Sequence, residues 1–226
     1  SSSILKELLN ILDYYKDREF VRSIVITGSG KKAFIAGADI KSMSNYSPQE
    51  AYEYSFIGQK LVENITSYNK PIVAAVNGYA LGGGCEIASA CHIRYASENA
   101  SFGQPEVKLG IIAGWGGTQN LPKLIGLSNA IDLLISGKMI DAEESYRIGL
   151  ISAIFKQDIL IKEVMKLMDV INQNSSNAIR NTLSSIYCGA NRAQYQNEAE
   201  LFKKSFEHND SRIGLDAFIN KRKPNF

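Results

Sequence analysis

The sequence predicts an α/β protein in which strands alternate with helices around one core and a helical layer forms the C-terminal third. Three observations carry this. Pro71-Ile72-Val73-Ala74-Ala75-Val76 is apolar throughout, the pattern of a strand covered on both faces. Leu5, Leu8, Leu9 and Leu12 recur at helical spacing. From about Gly116 onward helical patterns dominate, broken by Ile151-Ser152-Ala153-Ile154-Phe155, which reads as a strand. Such alternation belongs to layered α/β architectures.

In chain order, Ser1, Ser2 and Ser3 precede the leucine repeat where a helix is capped. Ser23-Ile24-Val25-Ile26-Thr27 is a β-rich run closed by Gly28-Ser29-Gly30, a strand and then a turn. Ala33-Phe34-Ile35-Ala36-Gly37 follows as a short extended piece. Asn45 to Tyr68 reads as a loop and a helix, with Pro48 near its start and Phe56, Ile57, Leu61 and Ile65 along one side. Asn77 to Leu81 leads into Gly82-Gly83-Gly84, Cys85 to Ala90 looks helical, and Ile93-Arg94-Tyr95 alternates as a strand does. The last two helices are expected over Ala193 to Phe206 and Arg212 to Lys221. No internal repeat is visible, and no linker forces two separate globular units.

The bulk numbers exclude several classes. The chain has 226 residues, of which 45% are hydrophobic and 21% charged, enough for a substantial core. Lys plus Arg is 25 against 23 for Asp plus Glu, so a formal charge of +2 gives no push toward nucleic acid. No apolar run approaches the roughly 18 residues that span a bilayer. Cys85, Cys91 and Cys188 have neither metal nor disulfide spacing, and an odd count fits a reducing compartment. The cytoplasm is the expected location, with the mitochondrial matrix as the alternative if a transit segment has been removed.

Several motifs fail on physical grounds. Gly28-x-Gly30-x-x-Ala33 follows a strand like a dinucleotide fingerprint, but Phe34-Ile35-Ala36-Gly37 does not start the helix that a pyrophosphate needs. Of the two histidines, His92 opens an apolar strand, and His208 sits among Glu207, Asn209 and Asp210. Neither a Gly-x-Ser-x-Gly elbow nor a His-Glu-x-x-His pair occurs, which removes the basis for triad hydrolases and zinc proteases.

Three segments remain: Ala36-Gly37-Ala38-Asp39-Ile40, Gly82-Gly83-Gly84-Cys85-Glu86 and Gly103-Gln104-Pro105-Glu106. A triple glycine before a helix lets a ligand approach the backbone and leaves N–H groups unpaired at the positive end of the dipole. Such donors suit a developing oxyanion, where one is worth ~3 kcal/mol in a transition state. Glu86 falls in the first turn of that helix, a place that favours an ionised carboxylate. Glu106 follows Pro105 and is expected on a stiff loop. Two carboxylates beside one oxyanion site can take a proton from water and deliver one to carbon. The bland reading stands beside this one: a glycine-rich turn is often only a turn, and an acid in a first helical turn is often only a cap.

Lys70-Pro71-Ile72-Val73-Ala74-Ala75-Val76-Asn77-Gly78-Tyr79-Ala80-Leu81-Gly82-Gly83-Gly84-Cys85-Glu86 resembles the central signature of the crotonase (enoyl-CoA hydratase/isomerase) family. Phe102-Gly103-Gln104-Pro105-Glu106, Leu109-Gly110 and Gly116-Gly117-Thr118-Gln119 extend the match. Ala33-Phe34 with Ala36 to Ile40 is similar to the family's first ligand-binding segment, and Ala217 to Lys223 to its closing helix.

The resemblance implies a spiral of repeated ββα units with a helical C-terminal layer. Residues 1–190 would form the core and 191–226 a helical trimerisation or lid segment. Strands that the family carries ahead of its first helix have no counterpart in this sequence. The implied activity is enoyl-CoA hydration, in fatty-acid or related acyl-CoA metabolism. Glu86 and Glu106 would be the catalytic acids, and the backbone N–H groups of Ala38 and Gly83 the oxyanion hole. Ala36, Ala38, Asp39, Ile40, Lys41, Gly82, Gly83, Pro105, Gly114 and Trp115 would contact substrate. Lys221 and Lys223 would reach CoA phosphates, or else simply complement a helix end. His92 stands where relatives often carry Asp, and Trp115 where they carry a smaller residue, which would narrow the acyl pocket. No metal or bound redox cofactor is implied; CoA arrives as part of the substrate. The expected assembly is a trimer or a dimer of trimers, with no nucleic acid and no membrane. The alternatives are an enoyl-CoA isomerase, another reaction of the family, or a homologue that only binds RNA or protein.

Overall fold

Two four-stranded sheets take their strands from the chain in turn. The computed structural model describes residues 2–43, 45–187, 202–203, 209–222 and 224–225. After helix α1 (Ser2–Lys16), strand β1 (Ile24–Thr27) enters the first sheet and β2 (Ala33–Ile35) the second. The short helix α2 (Ile40–Met43) and the long α3 (Pro48–Thr66) lead back to β3 (Ile72–Val76) in the first sheet and β4 (Tyr79–Leu81) in the second. Helix α4 (Gly83–Ala90) returns the chain to β5 (Ile93–Ser97) and β6 (Ser101–Gly103). Each turn thus lays one strand in each sheet and closes with a helix, the ββα spiral that the resemblance implies. The first sheet has order β1-β3-β5-β8, with β8 at Ala153–Phe155. The second has order β2-β4-β6-β7, parallel but for the antiparallel edge strand β7 (Met139–Asp141).

The all-apolar run becomes β3, in the middle of the first sheet and buried at all five residues. Its faces serve two clusters. Ile72, Ala74 and Val76 join the main core, while Val73 and Ala75 pack with Leu160, Val164 and Met168 of helix α8 (Leu160–Asn172). Alternation along one strand therefore selects which layer each side chain meets.

Helix α1 buries Leu5 and Leu12, with Leu8 and Leu9 packed beside them. It begins at Ser2, so Ser2 and Ser3 lie in its first turn instead of standing ahead of it. Tyr68 Oη donates to the Leu12 carbonyl at 2.7 Å, and Lys70 Nζ donates to the carbonyls of Tyr15 and Arg18, which ties this helix down. Ser47 and Glu50 form a capping box at the start of α3. Leu61 and Ile65 of α3 are buried and Ile57 packs against the core, but Phe56 is 45% exposed and stacks on Tyr52. It lies off the apolar stripe because hydrophobic type outran helical phase at that position.

Helices α5 (Gly117–Ile125), α6 (Leu127–Ser136), α7 (Ala142–Arg147), α8 and α9 (Ser176–Tyr187) make up most of the remaining described chain. The helix expected over Ala193 to Phe206 lies, apart from the helical residues 202 and 203, outside the described residues, as do Cys188, His208 and Lys223. The closing helix runs Asn209–Ile219, starting three residues earlier than its pattern suggests. Strands β4, β6 and β7 have three residues each, too short for periodicity to mark them.

Candidate active site

The site forms where three neighbouring strands end. Strands β2, β4 and β6 are parallel and adjacent, so their C-terminal ends lie side by side. The chain leaves β2 through Ala36, Gly37 and Ala38, leaves β4 through Gly82 into α4, and leaves β6 through Gln104 into a 3-10 helix at Pro105–Leu109. Those are the three segments with chemical potential in the sequence. They converge on a cavity of about 930 Å³ whose lining includes Ala36, Ala38, Gly82, Gly83, Glu86 and Glu106. Crevices at the carboxyl ends of parallel strands are the usual ligand sites of such sheets.

Gly82 carries the turn from strand to helix. Its φ of 52° and ψ of −124° suit no residue with a side chain, and a Cβ there would sit 2.5 Å from Glu106 Oε1. Gly82 N–H donates to the Gly103 carbonyl at 2.9 Å, which binds the β4 and β6 exits together. Gly83 is the first residue of α4, so its N–H has no acceptor within the helix. Ala38 stands half-buried in the exit from β2, on the same cavity wall.

Glu86 lies one turn into α4 and is 2% exposed. Its Oε1 accepts from the backbone N–H of Trp115 at 2.7 Å and of Gly117 at 2.8 Å. Burial pushes its pKa up to about 7, against the pull of those two N–H groups, with the nearby Glu106 charge adding to the rise. The helix N-terminus therefore does not hold this carboxyl in the ordinary carboxylate range, as its position in the sequence suggests; desolvation in a helix buried at every residue outweighs it. Glu106 is half-buried, and burial raises its pKa as well. It sits on a 3-10 turn begun by Pro105 where a stiff loop was expected, because proline is well suited to the first helical position. Gln104, 1% exposed, sets its side-chain amide against Glu106, and with the amide nitrogen turned to the carboxylate it donates to Oε2 at 3.0 Å and Oε1 at 3.3 Å.

Ile40, Pro105, Gly114 and Trp115 also line the cavity. Asp39 is exposed in the exit from β2, off the cavity wall, and Lys41 lies within α2. Lys221 is exposed beyond the closing helix, away from the cavity of this chain. Sequence reasoning gave no role to Gln104, although it stands inside a quoted motif, and missed Tyr54. That tyrosine is 7% exposed, lines the cavity, and has a hydroxyl without a hydrogen-bond partner among the described residues. Burial pushes its pKa up to about 12, so it remains protonated.

His92 is structural. Its Nδ1 accepts from the Ile72 N–H at 2.9 Å, Nε2 faces the Thr66 carbonyl at 3.3 Å, and burial lowers its pKa. The Gly28-Ser29-Gly30 turn leads into β2, not a helix, and Asn77 holds it through Gly28 N–H and the carbonyls of Gly28 and Gly30. Among the described residues no group of three His, Cys, Asp or Glu side chains is placed to hold a metal ion. Nor is any described helix long and apolar enough to cross a membrane.

A spiral of ββα turns that sets two carboxyl groups beside a helix N-terminus is an arrangement suited to acid–base chemistry. The chain belongs to the enoyl-CoA hydratase/isomerase family, whose profile matches residues 1–226. It is 43% identical to a crotonyl-CoA hydratase of Syntrophomonas wolfei over 98% of this chain and 86% of that protein. It is 38% identical to a short-chain-enoyl-CoA hydratase of Clostridium acetobutylicum, over 99% of this chain and 87% of the relative. The crystal structure of an enoyl-CoA hydratase from Bacillus anthracis superposes with a TM-score of 0.95 at 34% identity, covering 100% of this chain and 89% of the other.

Proposed function

We propose that the chain is an enoyl-CoA hydratase, a hydro-lyase, in which Glu86 and Glu106 divide the proton traffic of hydration. Water adds syn across the double bond of a trans-2-enoyl-CoA and gives 3-hydroxyacyl-CoA. The thioester oxygen lies between the N–H groups of Ala38 and Gly83. Glu86, held by two backbone donors, deprotonates the water as its oxygen bonds to Cβ. The π electrons move onto the thioester oxygen, where the two N–H groups stabilise the enolate. Glu106, entering the step in its protonated form, then delivers a proton to Cα as the carbonyl re-forms. One carboxyl has gained a proton and the other has lost one, so exchange with solvent restores the starting state.

The observation that carries this reading is the packing of Glu106 against the Gly82 turn, which opens the helix bearing Glu86 and the Gly83 N–H. An isomerase needs only one carboxylate to shuttle a proton between carbons; the pair favours hydration. The test follows the loss of enoyl-thioester absorbance with crotonyl-CoA, in the parent and in Glu86→Gln and Glu106→Gln. Each variant is expected to lose turnover by roughly 10²–10⁴-fold while keeping its fold. Unchanged turnover in either would remove that residue from the chemistry.

No further cofactor enters this scheme, since CoA is carried by the substrate. The trimer or dimer of trimers finds support in exposed apolar side chains on α6, with Leu127 at 65% and Ile135 at 70% exposure. Light scattering that returned a monomer would refute it. A reducing location such as the cytoplasm suits the free, buried thiols of Cys85 and Cys91.

A further inference from the structure

Trp115 occupies the place where α3, α4 and the reacting end of the cavity meet. Its backbone N–H holds Glu86 Oε1, so the residue is anchored beside the chemistry. Its indole is 6% exposed and stands edge-on to Tyr54 at 5.5 Å between ring centroids. Tyr54 meets Tyr46 in the same manner at 5.6 Å. Two glycines make room for the indole. A Cβ on Gly58 of α3 would lie 2.1 Å from the Trp115 ring, and a Cβ on Gly83 of α4 would lie 2.2 Å from it. Both helices give up a side chain at the point where the ring is seated.

The cavity lining also takes in Gln59, Val62, Glu63 and Thr66 of α3 and Asn120 of α5. Ala51 and Thr66 both line the cavity, and they lie about 22 Å apart along the helix axis at 1.5 Å per residue. The space is long, and that side of its lining includes the amide, carboxylate and hydroxyl groups of Gln59, Glu63 and Thr66. A hydrocarbon tail there would strip water from amide, carboxylate and hydroxyl groups without offering them partners.

We infer that Trp115 sets the length of the acyl group, admitting short apolar enoyl chains and refusing long ones. This rests on the hydratase reading and deepens it. With the thioester oxygen at Gly83 and Cβ beside Glu86, the chain beyond Cβ runs toward the residue that binds Glu86 and covers Gly83. A crotonyl group ends against the aromatic row of Trp115 and Tyr54. Each further methylene must displace the indole, which the Gly58 and Gly83 contacts hold in place.

The experiment compares kcat/KM for crotonyl-CoA with that for a ten-carbon trans-2-enoyl-CoA, in the parent, Trp115→Ala and Trp115→Phe. The parent is expected to favour the short substrate by at least roughly tenfold. Trp115→Ala should raise the ratio of long to short by about tenfold, mainly through KM for the long substrate, and Trp115→Phe should shift it partway. Equal efficiency on both substrates in the parent would overturn the inference. So would an equal loss on both in Trp115→Ala, the mark of an indole that serves only to pack two helices. If Trp115→Ala does not fold, Trp115→Phe decides, because it keeps a ring between Gly58 and Gly83. An unshifted ratio in the folded Phe variant refutes the inference. Failure of the hydratase reading looks different: the parent would hydrate neither substrate.

Discussion

Glu86 and Glu106 are the same residue type held in two ways. Glu86 is sealed in a buried helix and bonded by two backbone donors, whereas Glu106 is half-buried on a short turn with Gln104 against it. The raised pKa of Glu86 has a consequence for stability. A carboxyl whose folded pKa lies near 7, above an ordinary 4.5, binds its proton more tightly in the folded chain than in the unfolded one. Its contribution to stability is therefore fully present below about 4.5 and is lost as pH rises to about 7, a change on the order of 3 kcal/mol. Glu86→Gln carries no charge at any pH, and its carbonyl can accept the same two N–H bonds. Its melting temperature should exceed the parent's at pH 8 by more than at pH 5; an equal difference at both would contradict the buried, raised carboxyl. The two acids and their glycine-rich neighbours were legible because each stands in a local motif. The titration of Glu86 was not, because it depends on α3, α5 and the Trp115 segment closing over α4, long-range burial that a first-turn position does not reveal.

At the scale of elements, α4 is the piece on which the site turns. It contributes Gly83 N–H at its start and Glu86 a turn later, and its closeness to β2 is enforced by Gly84. A Cβ at Gly84 would lie 2.0 Å from the Ile35 carbonyl oxygen, a backbone atom with no freedom to swing aside. Gly84→Ala must then push α4 off β2, separating Gly83 from Ala38. We expect a melting temperature several degrees lower and turnover reduced at least tenfold, since small displacements at a reacting centre are costly. Calorimetry and the crotonyl-CoA assay would read both; a variant normal in both would mean that α4 adjusts freely. Long elements were readable here. The five apolar residues of β3 and the leucine repeat of α1 announce themselves, whereas the three residues of β4 carry no period and acquire their identity only by pairing with β2 and β6.

For the whole molecule, the two cores separate stability from chemistry. Helix α8 covers the first sheet through Leu160, Val164 and Met168, whereas the groups proposed for the chemistry sit at the ends of the second sheet. Truncating Leu160, 1% exposed, to alanine should cost about 2–5 kcal/mol of stability. Yet kcat on crotonyl-CoA below the melting range should stay within about twofold of the parent, because distant sites add independently. Denaturant titration and steady-state kinetics on one preparation check both halves; a matching fall in kcat would show that the layers are coupled. The sequence could assign strands and helices to an α/β class without revealing that consecutive strands belong to different sheets. That partition is written in the pairing of β1 with β3 and of β2 with β4, and no stretch of residues carries it alone.

The interleaving of the sheets also bears on how the protein is made. Every group assigned to the chemistry, together with the N–H donors that hold Glu86, falls between Ala38 and Gly117, in three successive turns of the spiral. Chains emerge from the ribosome N-terminus first, and each turn of this spiral can dock on the one before it without waiting for distant partners. The residues proposed for the chemistry are therefore all synthesised before β8 and α8. Those late elements seal an edge and a face of the first sheet, so a nascent chain halted short of them would carry its chemistry on a scaffold not yet closed.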